Sequence, residues 1–244
     1  MNRLMLIFLS VLFFESSSYS QFRLPGTLQI RTIDVDVQWS SSFQADYRFV
    51  TRGFSRAQND KLNDAMQMIY DLFTIPGSQS NIGDMTEFQK CVVDNTTRFE
   101  APNWGQKNLS VRRYTTAIVS SLMVLGNGGG IIKAFTEDEP QDGREFIRAG
   151  FAPVLTISGE SRIDISMNRS FIDDYDVVIV AGTLFHEMLH NAGWTHPTTG
   201  SLEDYPGTLI KEADICLEQE LAGMSSFAPG RLVAPPYRRT FLAE

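Results

Sequence analysis

Basic residues, cysteines and histidines are all scarce in this chain, and no apolar run in it reaches membrane-spanning length. Lys and Arg total 21 against 29 Asp and Glu over 244 residues, a formal net charge of −8. An acidic chain without a basic cluster repels phosphate backbones and anionic lipid, which argues against nucleic acid and against electrostatic membrane anchoring. The apolar run from Leu4 to Phe14 is well short of the about 20 residues a transmembrane helix needs. It follows Arg3 and precedes the small residues Ser18 and Ser20, the layout of a secretory signal peptide. Cleavage is expected before Gln21, leaving residues 21–244 as one domain that keeps the net charge of −8, since Arg3 and Glu15 leave together. The mature protein is therefore expected to be exported, extracellular or (in a Gram-negative source) periplasmic, without a membrane anchor.

Cys91 and Cys216 are the only two cysteines. In an exported chain they point to one disulfide, and the alternative is two separate buried thiols. A bridge closing so long a loop is worth roughly 5 kcal/mol in the chain-entropy account. Glycosylation triplets stand at Asn95, Asn108 and Asn168. Internal repeats and linkers rich in Pro, Gly or Ser are also lacking, which argues for a single domain.

The patterns that are present are short and alternate in kind. Ile33, Val35, Val37 and Trp39 alternate with polar residues, as in a half-buried strand. Ser55 with Gln58 has the spacing of a capping box, and Leu62, Ala65, Met66, Ile69 and Phe73 supply the apolar stripe of a helix that Pro76-Gly77 stops. Tyr114 to Leu125 reads as a strand entering the glycine-rich turn GNGGG. A phosphate loop needs a helix led by Lys or Ser/Thr after its glycines, whereas strand-like IIKAF follows. The acidic stretch Glu137 to Gly143 lacks the ligand spacing of a calcium loop and reads as solvated. Ala152–Ser158 and Arg162–Asn168 read as strands, Val177–Asn191 and Leu209–Leu221 as helices. The predicted class is α+β or α/β.

All three histidines fall within eleven positions, in LFHEMLHNAGWTHP. On a helix His186 and His190 lie one turn apart on one face, where their nitrogens can hold a zinc ion at about 2.0–2.1 Å. Glu187 stands beside the first of them, placed to act as a general base towards water. Gly193 tolerates the positive φ that ends a helix, so the chain can turn and bring His196 back as a third ligand, while Pro197 stops the helix from resuming. Three protein ligands leave one position open, as in catalytic zinc sites.

With this spacing the sequence resembles the metzincin family of zinc endopeptidases. Its motif H-E-x-x-H-x-x-G-x-x-H matches His186, Glu187, His190, Gly193 and His196 without a gap. The resemblance implies one catalytic Zn2+ and a peptide or protein substrate. It also implies a twisted, mostly parallel sheet with helices in an upper lobe (21–193), a smaller lower lobe (194–244), and the cleft between them. Pro197 is similar to the serralysin branch, whose glycine-aspartate calcium repeats this chain lacks. Family members carry a methionine turn beneath the metal, for which Met224 is the one candidate after His196, and some branches a tyrosine, for which Tyr205 and Tyr237 are candidates. Arg162–Asn168 matches in position the edge strand along which substrate lies in the family. Trp194 is expected to pack beneath the turn as core.

Two alternatives stay open. Glu212 replaces His196 as third ligand, as in other HExxH peptidases, or the chain is an exported zinc-containing binding protein or toxin module whose site is not catalytic.

Overall fold

In a computed structural model the protein is described for residues 30–40, 43–74, 86–99, 102–103, 110–139, 141, 147–154, 162–196, 206–224 and 241–243. Residues 1–29, which include the segment expected to be a signal peptide, and Asn108, Pro197, Tyr205 and Tyr237 lie outside them. The alternation at Ile33–Trp39 forms β1 (Ile30–Ser40), in which Ile33, Val35, Val37 and Trp39 are buried. It pairs antiparallel with β2 (Phe43–Arg52). The apolar face of β1 meets α1 (Arg56–Thr74), which begins at the predicted capping box. Gln58 N donates to Ser55 Oγ at 3.2 Å, and Ser55 N donates to Gln58 Oε1 at 2.9 Å.

A second capping box, Thr86 with Gln89, opens α2 (Glu87–Asn95) in a stretch whose sequence carries no clear period. Next comes α3 (Val111–Gly128), and here the structure corrects the strand expected at Tyr114–Leu125. Tyr114, Ile118, Leu122 and Leu125 recur every three or four residues and are all buried, a helical stripe. Ala117, Val119 and Met123 pack partly against the same core, and these further apolar residues obscured the period. Two stripe-side hydroxyls are satisfied inside the helix, Thr115 Oγ1 on Arg112 O at 2.7 Å and Ser121 Oγ on Ala117 O at 3.0 Å.

The glycine run expected to be a turn is largely helical instead: Gly126–Gly128 close α3 and Gly130 opens β3, which leaves Gly129 (φ +61°) as the turn between them, and two of the glycines have a steric reason. A Cβ on Gly126 would stand 2.5 Å from the Tyr47 ring, and one on Gly130 (φ +137°) would run into the backbone of Ile163. Gly130 opens β3 (Gly130–Phe135), the strand-like IIKAF. The following acidic stretch is not wholly solvated, because Glu137 is 7% exposed and accepts from Arg148 N at 3.2 Å. Strand β4 (Ile147–Phe151) lies earlier than the expected Ala152–Ser158. Pro153 offers no N–H to a ladder, and Ala152–Val154 is irregular.

Strand β5 (Ile163–Asn168) forms as predicted, with Ile163, Ile165 and Met167 buried. It is not an edge strand, however. It pairs parallel with β3 on one side and antiparallel with β4 on the other. Asn168 is fully buried, and its Nδ2 donates to Glu137 O and Arg148 O at 2.8 Å, so this triplet is no acceptor for a glycan in the folded chain. Its Oδ1 caps α4 (Arg169–Asp174). The helices α5 (Val177–Asn191) and α6 (Leu209–Met224) complete the set, with β6 (Phe241–Ala243) parallel to β4.

The sheet order is β1-β2-β3-β5-β4-β6, with three parallel and two antiparallel neighbour pairs. This is a mixed, mostly parallel sheet with helices, the α+β class expected. The predicted disulfide is present: Cys91 on α2 joins Cys216 on α6 across 125 positions, with Cα atoms 5.8 Å apart. No helix among the described residues is long and apolar enough to cross a membrane.

Candidate metal centre

Helix α5 has the bounds its sequence predicted, because strong local signals mark both ends. Asp176 Oδ1 accepts from Val178 N at 2.9 Å and Ile179 N at 3.1 Å, satisfying two of the unpaired donors of the first turn. At the other end Gly193, at φ 88°, takes the left-handed position. Gly193 N then donates to His190 O at 2.9 Å and Trp194 N to Leu189 O at 3.0 Å, a Schellman closure. From Val180 to Asn191 every residue is buried, so α5 runs through the middle of the fold, packed against α1, α3, α6, β4 and β5.

Burial of that kind makes each polar side chain on α5 expensive unless it has a partner. Asn191, fully buried, accepts from Asp164 N at 2.7 Å and donates to Pro153 O at 3.1 Å, which moors the helix end to β5. His190 Nδ1 faces the carbonyl oxygen of Trp194 at 2.9 Å. A carbonyl only accepts, so this nitrogen carries the proton and Nε2 holds the lone pair. His186 Nδ1 meets Asp214 Oδ2 on α6 at 3.1 Å, which assigns the same tautomer to His186.

The turn at Gly193 returns the third histidine as predicted. His186 Nε2 and His196 Nε2 are 3.1 Å apart, and the ring centroids of the three histidines stand 4.8–5.0 Å from one another. One ligand atom from each lies within 4.8 Å of the others, and His190 Nε2 is buried without a hydrogen-bond partner. Nitrogens around a tetrahedral zinc sit about 3.3 Å apart, close to the separation of the first pair. Burial first, and then the neighbouring imidazoles and Lys211, push His186 well below its usual range and His196 down to about 2. Burial also pushes His190 down, against the pull of Trp194. Neutral imidazoles with converging lone pairs are what a metal requires, and the residues present fit one.

Glu187, next to His186 on α5, is fully buried. Gly150 of β4 lies against it, since a Cβ there would come 3.2 Å from Glu187 Cγ and Oε1. Trp194 is core, as expected, 1% exposed and edge-on to Tyr114 at 5.6 Å. Glu212 does not join the histidines. Its carboxylate accepts from Gly207 N at 2.7 Å at the start of α6. Met224 is the last residue of α6, and the position of its side chain lies outside what the structure describes.

Asp214 was not singled out by spacing to the motif, yet a signal existed. On α6, Ile210, Leu217 and Leu221 mark an apolar stripe at helical spacing, and Asp214 interrupts it between the first two. Buried at 2% exposure, it also holds Lys211 Nζ at 3.1 Å. Burial raises its carboxyl to about 6 against the opposing pull of Lys211. One turn on, Glu218 is raised to about 8 by burial and then by Asp214 and Asp176.

No protein-family model, curated protein or solved structure matches the chain. What sequence and fold together define is a mixed α+β domain with three histidines gathered at the end of its central helix, in position for a metal ion.

Proposed function

We propose that the chain is an exported zinc-dependent endopeptidase of the metzincin type. The observation that carries this reading is the convergence of His186, His190 and His196 at the end of α5, with Glu187 buried on the same helix. The three histidines would hold the zinc, His186 and His190 through Nε2. When bound, zinc supplies Lewis acidity towards a peptide carbonyl and towards water. Glu187 takes the proton of the attacking water on its carboxylate and passes it to the leaving amine. Asp214 and the Trp194 carbonyl fix two of the imidazoles, and the Gly193 turn delivers the third. Export is supported by the signal-like first 20 residues and by the Cys91–Cys216 bridge, and the partner is a peptide or protein substrate.

In the test, Glu187→Ala keeps zinc while peptide cleavage falls by about 10²–10⁴-fold. A chelator abolishes wild-type cleavage and added zinc restores it. Cleavage by Glu187→Ala at the wild-type rate rejects the assignment.

One observation favours a second reading, an exported zinc-containing binding or toxin module. His186 and Glu187 are 0% exposed and His190 3%, a seclusion that suits a structural ion. A zinc-loaded wild type that cuts nothing in a diverse peptide library decides for that reading.

A further inference from the structure

We infer that Asp214 is a positioning residue for the metal centre, acting through His186, and that the Cys91–Cys216 disulfide holds it in place. The inference rests on the metal reading alone and is independent of peptide cleavage.

The two motif histidines on α5 are oriented in different ways. His190 uses the carbonyl of Trp194, four residues on, so its partner arrives with the helix cap itself. The partner of His186 comes from another helix, 28 positions away. The contact is dry, with side-chain exposures of 0% for His186 and 3% for Asp214, so water does not stand in for the carboxylate. Orientation of His186 therefore depends on how α6 docks against α5.

Two features hold α6 there: its apolar stripe packs into the core, and Cys216, two residues beyond Asp214, is bonded to α2. Within α6, Lys211 Nζ reaches the same Oδ2 that faces His186. Covalent attachment so near the carboxylate limits the sliding or rotation of α6 that would withdraw Oδ2 from the ring. A carboxylate on the far nitrogen fixes the tautomer and raises the basicity of the ligating one, and losing such a partner typically costs about 10–100-fold in metal affinity. Cys91–Cys216 thereby gives the metal centre a dependence on oxidation of the chain.

Two measurements on the full-length mature protein test this. Zinc affinity is read by competition with a chromophoric chelator, and the His186 tautomer by ¹⁵N NMR of metal-free protein labelled at histidine. Asp214→Ala is expected to weaken zinc toward the upper end of that range, about 100-fold, and to release the Nδ1–H tautomer of His186. Asp214→Asn keeps the shape with a weaker, neutral acceptor, and is expected to lose about 10-fold. Should the alanine variant not fold, Asp214→Asn decides: affinity and tautomer equal to wild type overturn the role. Mild reduction, or replacement of both cysteines by serine, is expected to weaken zinc in the wild type and much less in Asp214→Asn, because the two act through one contact. An equal effect in both backgrounds overturns the link to the disulfide. His190→Ala serves as the control. If it too retains full zinc affinity, the metal reading fails, whereas its loss beside an unchanged Asp214→Asn rejects only the role of Asp214.

Discussion

The region beneath β1 and β2 and the region at the end of α5 are both buried and both rich in rings, yet their polar atoms are treated differently. Under the hairpin, Trp39, Tyr47, Phe49 and Tyr70 pack with centroids 5.2–6.4 Å apart. Polar tips there close on one another or on the backbone, Trp39 Nε1 on Tyr47 Oη at 2.7 Å and Tyr70 Oη on Leu122 O at 3.1 Å. At the end of α5 three imidazoles gather at similar spacing, but the Nε2 atoms of His186 and His196 face each other, and His190 Nε2 closes on nothing. The first arrangement is complete without a ligand, while the second gains its missing partner when one binds. A core can therefore be told from a site by where its hydrogen bonds end.

The largest expected effect breaks the first region. Tyr70→Ala removes the ring at the centre of the aromatic group and should cost roughly 3–5 kcal/mol, as large core truncations do. Denaturant unfolding of metal-free protein measures it, and a loss under about 1 kcal/mol would mean the hairpin core collapses around the gap.

Next in size is an effect confined to the second region. Zinc at a hundredfold excess over its Kd should stabilise the wild type by about 2.7 kcal/mol, through preferential binding to the folded state. In His190→Ala that increment should nearly vanish, separately from whatever the truncation and the orphaned Trp194 carbonyl cost the metal-free protein. Thermal melts with and without zinc separate the two, and an undiminished zinc increment would remove His190 from the ligand set.

The smallest effect sharpens the comparison through pH. Glu218 is raised from its ordinary 4.5 to about 8, so the folded chain holds a proton there that the unfolded chain releases earlier. Its favourable contribution is complete below about 4.5 and is lost as pH climbs towards about 8. The lowered histidines act in the opposite sense, and their contribution falls away as pH drops below about 6.5. Metal-free Glu218→Gln should therefore match the wild type near pH 4.5 and exceed it by a growing margin up to pH 8, read as Tm. A difference independent of pH would show that Glu218 is ionised throughout.

Much of the centre was legible because its signals are local. The Ser55–Gln58 box, the period of β1, Gly193 at its positive φ and the four-residue step from His186 to His190 each act within one or two turns of chain. Even the single possible pairing of Cys91 with Cys216 needed no geometry. Helix α3 reads as a strand in the sequence because partly buried Ala117, Val119 and Met123 surround its stripe, and packing on several sides erases the period that marks a surface helix. Strand β5 shows the converse. Its alternation is plain, but whether a strand lies inside a sheet or at its edge depends on β4, a separate segment with eleven residues (152–162) between the two.

By itself the sequence determined which atoms can bind a metal, and that a helix and a glycine turn would present them together, because backbone sterics and hydrogen bonding over four residues suffice for both. Only the tertiary structure decided which nitrogen of His186 is free to do so. Asp214 reaches it from a helix 28 positions away, and the carboxylate settles the tautomer only where α5 and α6 pack closely enough to exclude water.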